Sequence, residues 1–150
     1  MEVIKVKKWI LLITISILLG ACTQSNKKEI IFFVEMTVNE KLQIEIEDFA
    51  KHYQNIVKKN EPKTLSWKFF DAGKNKVIEV SRWSDSEAIK THIENISEGG
   101  ILQKDFESFI GYFVIDKISV LGEVSDEVKI MLSGLGIPVT FSPIIAGYSK

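Results

Sequence analysis

A chain of 150 residues with 45% hydrophobic side chains is long enough for one domain with a sizeable core. Nineteen basic residues stand against twenty acidic ones with no basic stripe or run of base-stacking aromatics, which excludes a nucleic-acid binder held by phosphate contacts. The single cysteine, Cys22, excludes a disulfide framework, a CxxC redox pair and a thiolate metal cluster.

The chain starts with Lys5, Lys7 and Lys8, continues as a nearly unbroken apolar run from Trp9 to Leu19, and reaches the small residues Gly20 and Ala21. This is the pattern of a secretory signal, residues 1–21. Leu18-Leu19-Gly20-Ala21-Cys22 resembles the lipobox of bacterial lipoproteins. The resemblance implies a diacylglyceryl group on the Cys22 thiol, cleavage before that residue, and an extracytoplasmic domain anchored to a bacterial membrane. Two or more acyl chains make such anchoring stable, at about 0.8 kcal/mol per buried methylene. An uncleaved anchor is the other reading, but the apolar run is shorter than the ~20 residues a membrane span needs. Residues 22–28, the lipidated cysteine and TQSNKK, read as a polar tether, and residues 29–150 as the folded domain. Without Met1 to Cys22, sixteen basic and nineteen acidic residues remain, a net charge near −3.

From Glu29 to Val38 the chain alternates, with Ile30, Phe32, Val34, Met36 and Val38 on one face and Ile31, Phe33, Glu35 and Thr37 on the other. This predicts a strand, and because both faces are mostly apolar, both are expected to be covered. Glu40 to Lys59 carries Leu42, Ile46, Phe49, Tyr53 and Ile56 or Val57 at helical steps, with Lys58 and Lys59 suited to the helix dipole at its end. Asn60-Glu61-Pro62 stops it. Leu65, Trp67 and Phe69 alternate with Ser66, Lys68 and Phe70, Asp71 to Asn75 supplies turn residues, and Val77 to Trp83 returns, so a hairpin is predicted. Ser84 and Glu87 have the spacing of a capping box, opening a helix that buries Ala88, Ile89, His92, Ile93 and Ile96. Glu98-Gly99-Gly100 ends that helix, and Ile101 to Phe109 predicts a further short one. Tyr112 to Leu121 has the composition of a fourth strand. Ser125-Asp126-Glu127 opens a last helix carrying Val128, Met131 and Leu132, closed by Gly134 and Gly136. Pro138 and Pro143 limit the tail to a short edge strand and a loop.

The order β-α-β-β-α-β, followed by a C-terminal helix and tail, is the ferredoxin-like α+β pattern. Its helices can cover one sheet face only. Phe33, Trp67 or Phe70, and Val77 are expected on the other, an apolar surface that calls for a second copy related by two-fold symmetry.

Glu61-Pro62-x-Thr64-Leu65-x-Trp67-x-Phe69-Phe70, a hairpin ending in Ser81-Arg82-Trp83, and Asp85-Ser86-Glu87-Ala88 followed by His92 and Glu94-Asn95 resemble the antibiotic biosynthesis monooxygenase (ABM) family. Leu121 to Val128 and Gly147-Tyr148-Ser149-Lys150 are similar to the strand-to-helix junction and tail of one branch of it, so the resemblance spans roughly Glu29 to Lys150. It implies a dimeric α+β barrel. It also implies, for some members, a cofactor-independent oxygenase in which an apolar cavity holds a phenolic or quinol-type substrate that reacts with O₂. Haem-degrading relatives use an Asn, a Trp and a His; their Trp position holds His92 here and the first strand has no counterpart of their Asn, which points away from haem. A non-enzymatic ligand-binding or structural lipoprotein that keeps the barrel is the alternative.

His92, at the edge of the apolar face of its helix, is the candidate base, since a neutral imidazole can take a proton from a phenol; a half-buried histidine bonded to a carbonyl is the bland alternative. Trp67, Phe69 and Trp83 are candidates for a flat apolar pocket wall, or else core and interface residues, with Glu79 or Ser81 as the polar neighbour of Trp83. Glu35 interrupts an apolar face as either a buried base or the partner of Arg82, across the sheet or at the interface between two copies. His52 reads as solvated, and two histidines on separate helices without a carboxylate pattern do not make a metal site.

Overall fold

The computed structural model describes residues 29–147, so the expected signal, Cys22, the expected tether and the last three residues lie outside the described part. Nine elements follow one another: β1 (Ile30–Val38), α1 (Gln43–Asn60), β2 (Thr64–Gly73), β3 (Lys76–Trp83), α2 (Ser86–Ile96), α3 (Gln103–Tyr112), β4 (Phe113–Leu121), α4 (Asp126–Ser133) and β5 (Val139–Ser142). The sheet order is β2-β3-β1-β4-β5. Its first four strands are antiparallel to their neighbours and form the ferredoxin-like unit, while β5 adds to the edge parallel to β4. That parallel step needs a crossover, which α4 provides.

The period-two pattern of β1 sets which face is buried. Ile30, Phe32, Val34 and Met36 are buried under the helices, and Ile31, Phe33 and Glu35 point the other way. Register then carries this choice to the neighbours, because residues directly opposite share a face. Met36 stands opposite Val77 and Val34 opposite Glu79, so Val77 is a core residue and not, as its position in the hairpin suggested, part of the uncovered face. Trp67 is likewise on the helix side, 5.7 Å from the rings of both Tyr53 and Trp83. Phe70, opposite Ile78, is the residue that joins Phe33 on the open face, and it is 48% exposed.

The hairpin turn is tight. Lys74 and Asn75 both adopt positive φ, 51° and 59°, the two left-handed residues of a type I′ connection that matches the twist of the strands. At the start of α2 the cap is one residue later than the Ser84/Glu87 spacing indicated. Asp85 accepts from the Ala88 N–H at 2.9 Å, and the buried Ser84 hydroxyl has no partner. An aspartate is as good a cap as a serine and brings a charge to the positive end of the helix dipole, so it takes the role. Ser125 caps α4 as expected, accepting from Val128 N–H.

The helices α1, α2 and α3 bring Phe49, Tyr53, Val57, Ile89 and Phe109 over Phe32, Trp83, Phe113 and Val120. Ring contacts among Phe49, Tyr53, Phe109 and Phe113 at centroid distances of 4.9 to 6.3 Å fill the end of the core near α3. Such contacts add roughly 0.5–1.5 kcal/mol each to the area they bury. An opening remains between the sheet and helices α2 and α3.

Candidate functional site

The junction between α1 and β2 positions the first polar group of the site. Pro62 prevents α1 from continuing, and Glu61, the C-cap, bonds its N–H to the Val57 carbonyl at 2.9 Å. This turns the Glu61 side chain inward, where it is 3% exposed. Across from it, His92 and Asn95 lie three residues apart on α2 and so share one helix face. His92 Nδ1 is 3.0 Å from both carboxylate oxygens, Asn95 Nδ2 donates to Oε1 at 3.0 Å, and the Thr64 hydroxyl donates to Oε2 at 3.1 Å. Burial pushes the Glu61 carboxyl up, but the bonds from His92, Asn95 and Thr64 outweigh it and hold the group below its ordinary range.

A carboxylate accepts only, so Nδ1 carries a proton and donates to Glu61, and Nε2 is the nitrogen turned away from that bond. Among the described residues Nε2 has no hydrogen-bond partner. The ring sits between Trp67 and Trp83, at 5.2 and 5.0 Å, and lines a cavity of about 590 Å³ between the sheet and helices α2 and α3. Tyr53, Glu79, Ile93 and Phe106 belong to the same wall. The imidazole is thus oriented by a buried carboxylate through Nδ1, on the wall of the cavity.

The second polar group is Glu79. It stands on β3 between Val34 and Phe69 on the flanking strands, and it is 2% exposed. Burial drives its carboxyl up to about 8, with only the Ser81 hydroxyl opposing the shift. Ser81 in turn accepts from the Trp83 indole N–H at 3.0 Å, so Trp83, Ser81 and Glu79 form a short polar line along one face of β3. Tyr53 is raised well above the phenol range by its burial and by Glu61, Glu79 and Asp105 nearby.

Of the residues singled out from sequence, His92, Trp67 and Trp83 come together in the cavity wall. Phe69 does not line it. Its ring stacks on Phe113 at 6.0 Å and its other side borders a surface groove beneath α1. Glu35 is exposed on the opposite sheet face, across from Ile78 and Lys117, so it is not a buried base, and within the chain Arg82 pairs with Glu29 instead. One residue of register separates Glu35 from the cavity. His52 is exposed and 3.5 Å from Asp105. Cys22 lies outside the described residues. Sequence reasoning missed Glu61 and understated Glu79. The signal for Glu61 was present: Glu61, Thr64, His92 and Asn95 all lie in the stretches that carry the family resemblance, and the fold gathers them into one hydrogen-bonded cluster.

At the level of sequence, no protein-family model and no curated protein matches the chain. Solved structures do. MupZ from Pseudomonas fluorescens is similar over 82% of this chain and 95% of its own, with 18% identity and a TM-score of 0.65. SnoaB, a cofactor-independent oxygenase from Streptomyces nogalater, is similar over 65% of this chain and 95% of its own, with 12% identity and a TM-score of 0.51. The protein therefore has the ABM-like α+β fold, a ferredoxin-like sheet of four antiparallel strands extended by a C-terminal helix and a parallel edge strand.

Proposed function

We propose that this protein is a lipid-anchored, dimeric ABM-like lipoprotein whose cavity takes a small aromatic or quinol-type compound and oxidises it with O₂, without a metal or organic cofactor. The observation that carries the reading is the Glu61–His92 pair on the wall of an apolar cavity, with Nδ1 engaged and Nε2 free. In this reading Nε2 takes the proton of a phenolic or similarly activated substrate, and Glu61 stabilises the imidazolium that results. For a phenol whose keto tautomer carries a CH₂ group, the phenolate reacts as the carbanion at that carbon, passes electrons to O₂ and forms a C–O–O bond. Return of the proton gives a hydroperoxide, R₂CH–OOH, and loss of water from it leaves R₂C=O. One O₂ is consumed per CH₂ converted to a carbonyl, with one water released. That SnoaB is a cofactor-independent oxygenase supports the reaction type, and the fold it shares supports no more than that.

The uncovered sheet face supports the dimer. Phe33, Phe70, Ile78 and Val80 share it, and a second copy placed there would cover them. The lipobox supports the anchor, which would hold the cavity near membrane quinones or hydrophobic toxins.

Oxygen uptake with a panel of hydroquinones and anthrone-type ketones tests the chemistry. The wild type consumes O₂, and His92→Ala abolishes uptake while Trp83→Phe reduces it and both keep the wild-type light-scattering mass. No uptake by the wild type, together with a small molecule retained in native mass spectrometry, overturns the oxygenase and favours the non-enzymatic ligand-binding lipoprotein. Light scattering on residues 23–150 at micromolar concentration tests the dimer, which a monomeric mass refutes. Labelling with radioactive palmitate tests the anchor: label in the wild type and none in Cys22→Ala.

A further inference from the structure

Two buried polar atoms in residues of the cavity wall have no partner. They are Glu79 Oε1 and the indole Nε1 of Trp67. An unpaired buried polar group costs about 1–3 kcal/mol, and in a folded protein it usually marks a place where something else completes the bond. The arrangement around Glu79 says what that partner is. The Trp83 N–H is a donor only and occupies a lone pair of the Ser81 oxygen at 3.0 Å, which leaves the Ser81 proton to be given to Glu79. One carboxyl oxygen is thereby satisfied as an acceptor and the other, Oε1, is left facing apolar surroundings. A charged carboxylate is not stable there, so the group is the neutral acid and Oε1 is its hydroxyl, a donor without an acceptor. Trp67 Nε1 is a second donor without an acceptor.

Resting on the cavity-binding reading above, we propose that Glu79 is the specificity-determining residue of the cavity: as a neutral acid it donates to a carbonyl or ether oxygen of an uncharged apolar guest, and it disfavours guests that carry a carboxylate. A guest carboxylate would have to be desolvated in an apolar wall that offers it two neutral donors and a histidine whose Nδ1 is already engaged by the Glu61 carboxylate. A carbonyl oxygen is desolvated at little cost and receives the same donors. This role is distinct from that of His92, because Glu79 supplies a proton to a hydrogen bond and does not need to transfer it.

The groups that face Glu79 are few. Ser81 is on its own strand, the Tyr53 hydroxyl comes from α1, and the wall beyond is completed by His92 from α2; β1, β2 and α3 offer Val34, Phe69, Trp67 and Phe109 there. Glu61 and Asp105 act, with Glu79, on Tyr53. A titration of guest affinity near pH 8 therefore belongs to Glu79 if replacing that residue removes it.

Calorimetric titration of the full-length chain in detergent with 1,4-naphthoquinone, and with 2-naphthoate as the charged counterpart of similar size, tests the proposal. The quinone is expected to bind at pH 6.5 at least tenfold more tightly than the naphthoate. Its affinity should fall about tenfold between pH 7 and 9, as the donor is lost and a negative charge appears beside the guest oxygen. Glu79→Gln, whose amide N–H₂ still donates, keeps the affinity within about threefold and removes the pH step; Glu79→Leu weakens the quinone about tenfold at pH 6.5, the size of one net hydrogen bond. Quinone binding that is unchanged in Glu79→Leu, or a pH step that persists in Glu79→Gln, overturns the role of Glu79 while leaving the cavity as a binding site. Absence of any quinone binding, with the fold intact by circular dichroism, overturns both.

Discussion

Replacing Glu79 with glutamine should make the stability of this protein less sensitive to pH, in a direction opposite to that of most carboxylates. In the unfolded chain Glu79 ionises near its ordinary value of 4.5, whereas in the folded protein burial raises it to about 8. Between those two values the folded state holds a proton that the unfolded state has released, so unfolding becomes easier as pH rises. The full contribution is therefore present below pH 4.5, declines through the interval, and is gone above about 8. The interval spans about 3.5 pH units at about 1.4 kcal/mol each, or about 5 kcal/mol of stability lost by the wild type and not by Glu79→Gln. Glutamine keeps the size of the side chain and can accept from Ser81, so near pH 4.5 the two proteins should be within about 1 kcal/mol. Urea unfolding of both proteins at pH 4.5, 6, 7.5 and 9 measures this. Taking the difference at each pH cancels the titration of every group the two share. A difference that stays flat over the range would show that Glu79 ionises freely in the folded protein, and the neutral-acid account of the cavity would be wrong.

The Glu61–His92 pair should behave as a buried couple: His92→Ala and Glu61→Ala each cost about 3–5 kcal/mol, and the double variant costs much less than their sum, as a denaturation double-mutant cycle will show. Glu61 has a folded value below 4.5, so its contribution is present above that pH and is lost on acidification through the folded value; Glu61→Gln should show less loss between pH 4.5 and 2.5 in the same unfolding assay. Gly100→Ala places a methyl group 2.2 Å from the Asn95 carbonyl oxygen and 2.4 Å from that of Glu94, both backbone atoms, and should lower the melting temperature by about 10 °C or more, or about 3 kcal/mol. Asp85→Ala should cost about 1 kcal/mol as the loss of a helix cap, and Ser84→Ala should be neutral or mildly stabilising because its hydroxyl is buried without a partner; equal costs in thermal denaturation would return the cap to Ser84.

Much of the architecture follows from one-dimensional pattern. The period-two alternation of Ile30 to Val38 separated the two faces of β1, helical spacing located α1 and α2, and the order of strands and helices sufficed for the ferredoxin-like unit. His92, Trp67 and Trp83 were legible as candidates, and the fold brings the three together in one cavity wall. Where pattern was ambiguous, tertiary structure decided. Val77 and Glu35 were assigned to the wrong surroundings because alternation gives two faces without saying which is covered, and the register of β1 against β3 and β4 makes that choice. The carboxylate that orients His92 is 31 residues away in sequence, at a helix stop whose own residues predict only that the helix ends. Local sequence determines local conformation, and it therefore specified the strands, helices and turns of this protein. The site depends on desolvation and on the meeting of distant side chains: only packing β3 beneath α1 and α2 leaves Glu79 neutral and brings Glu61 within 3.0 Å of His92.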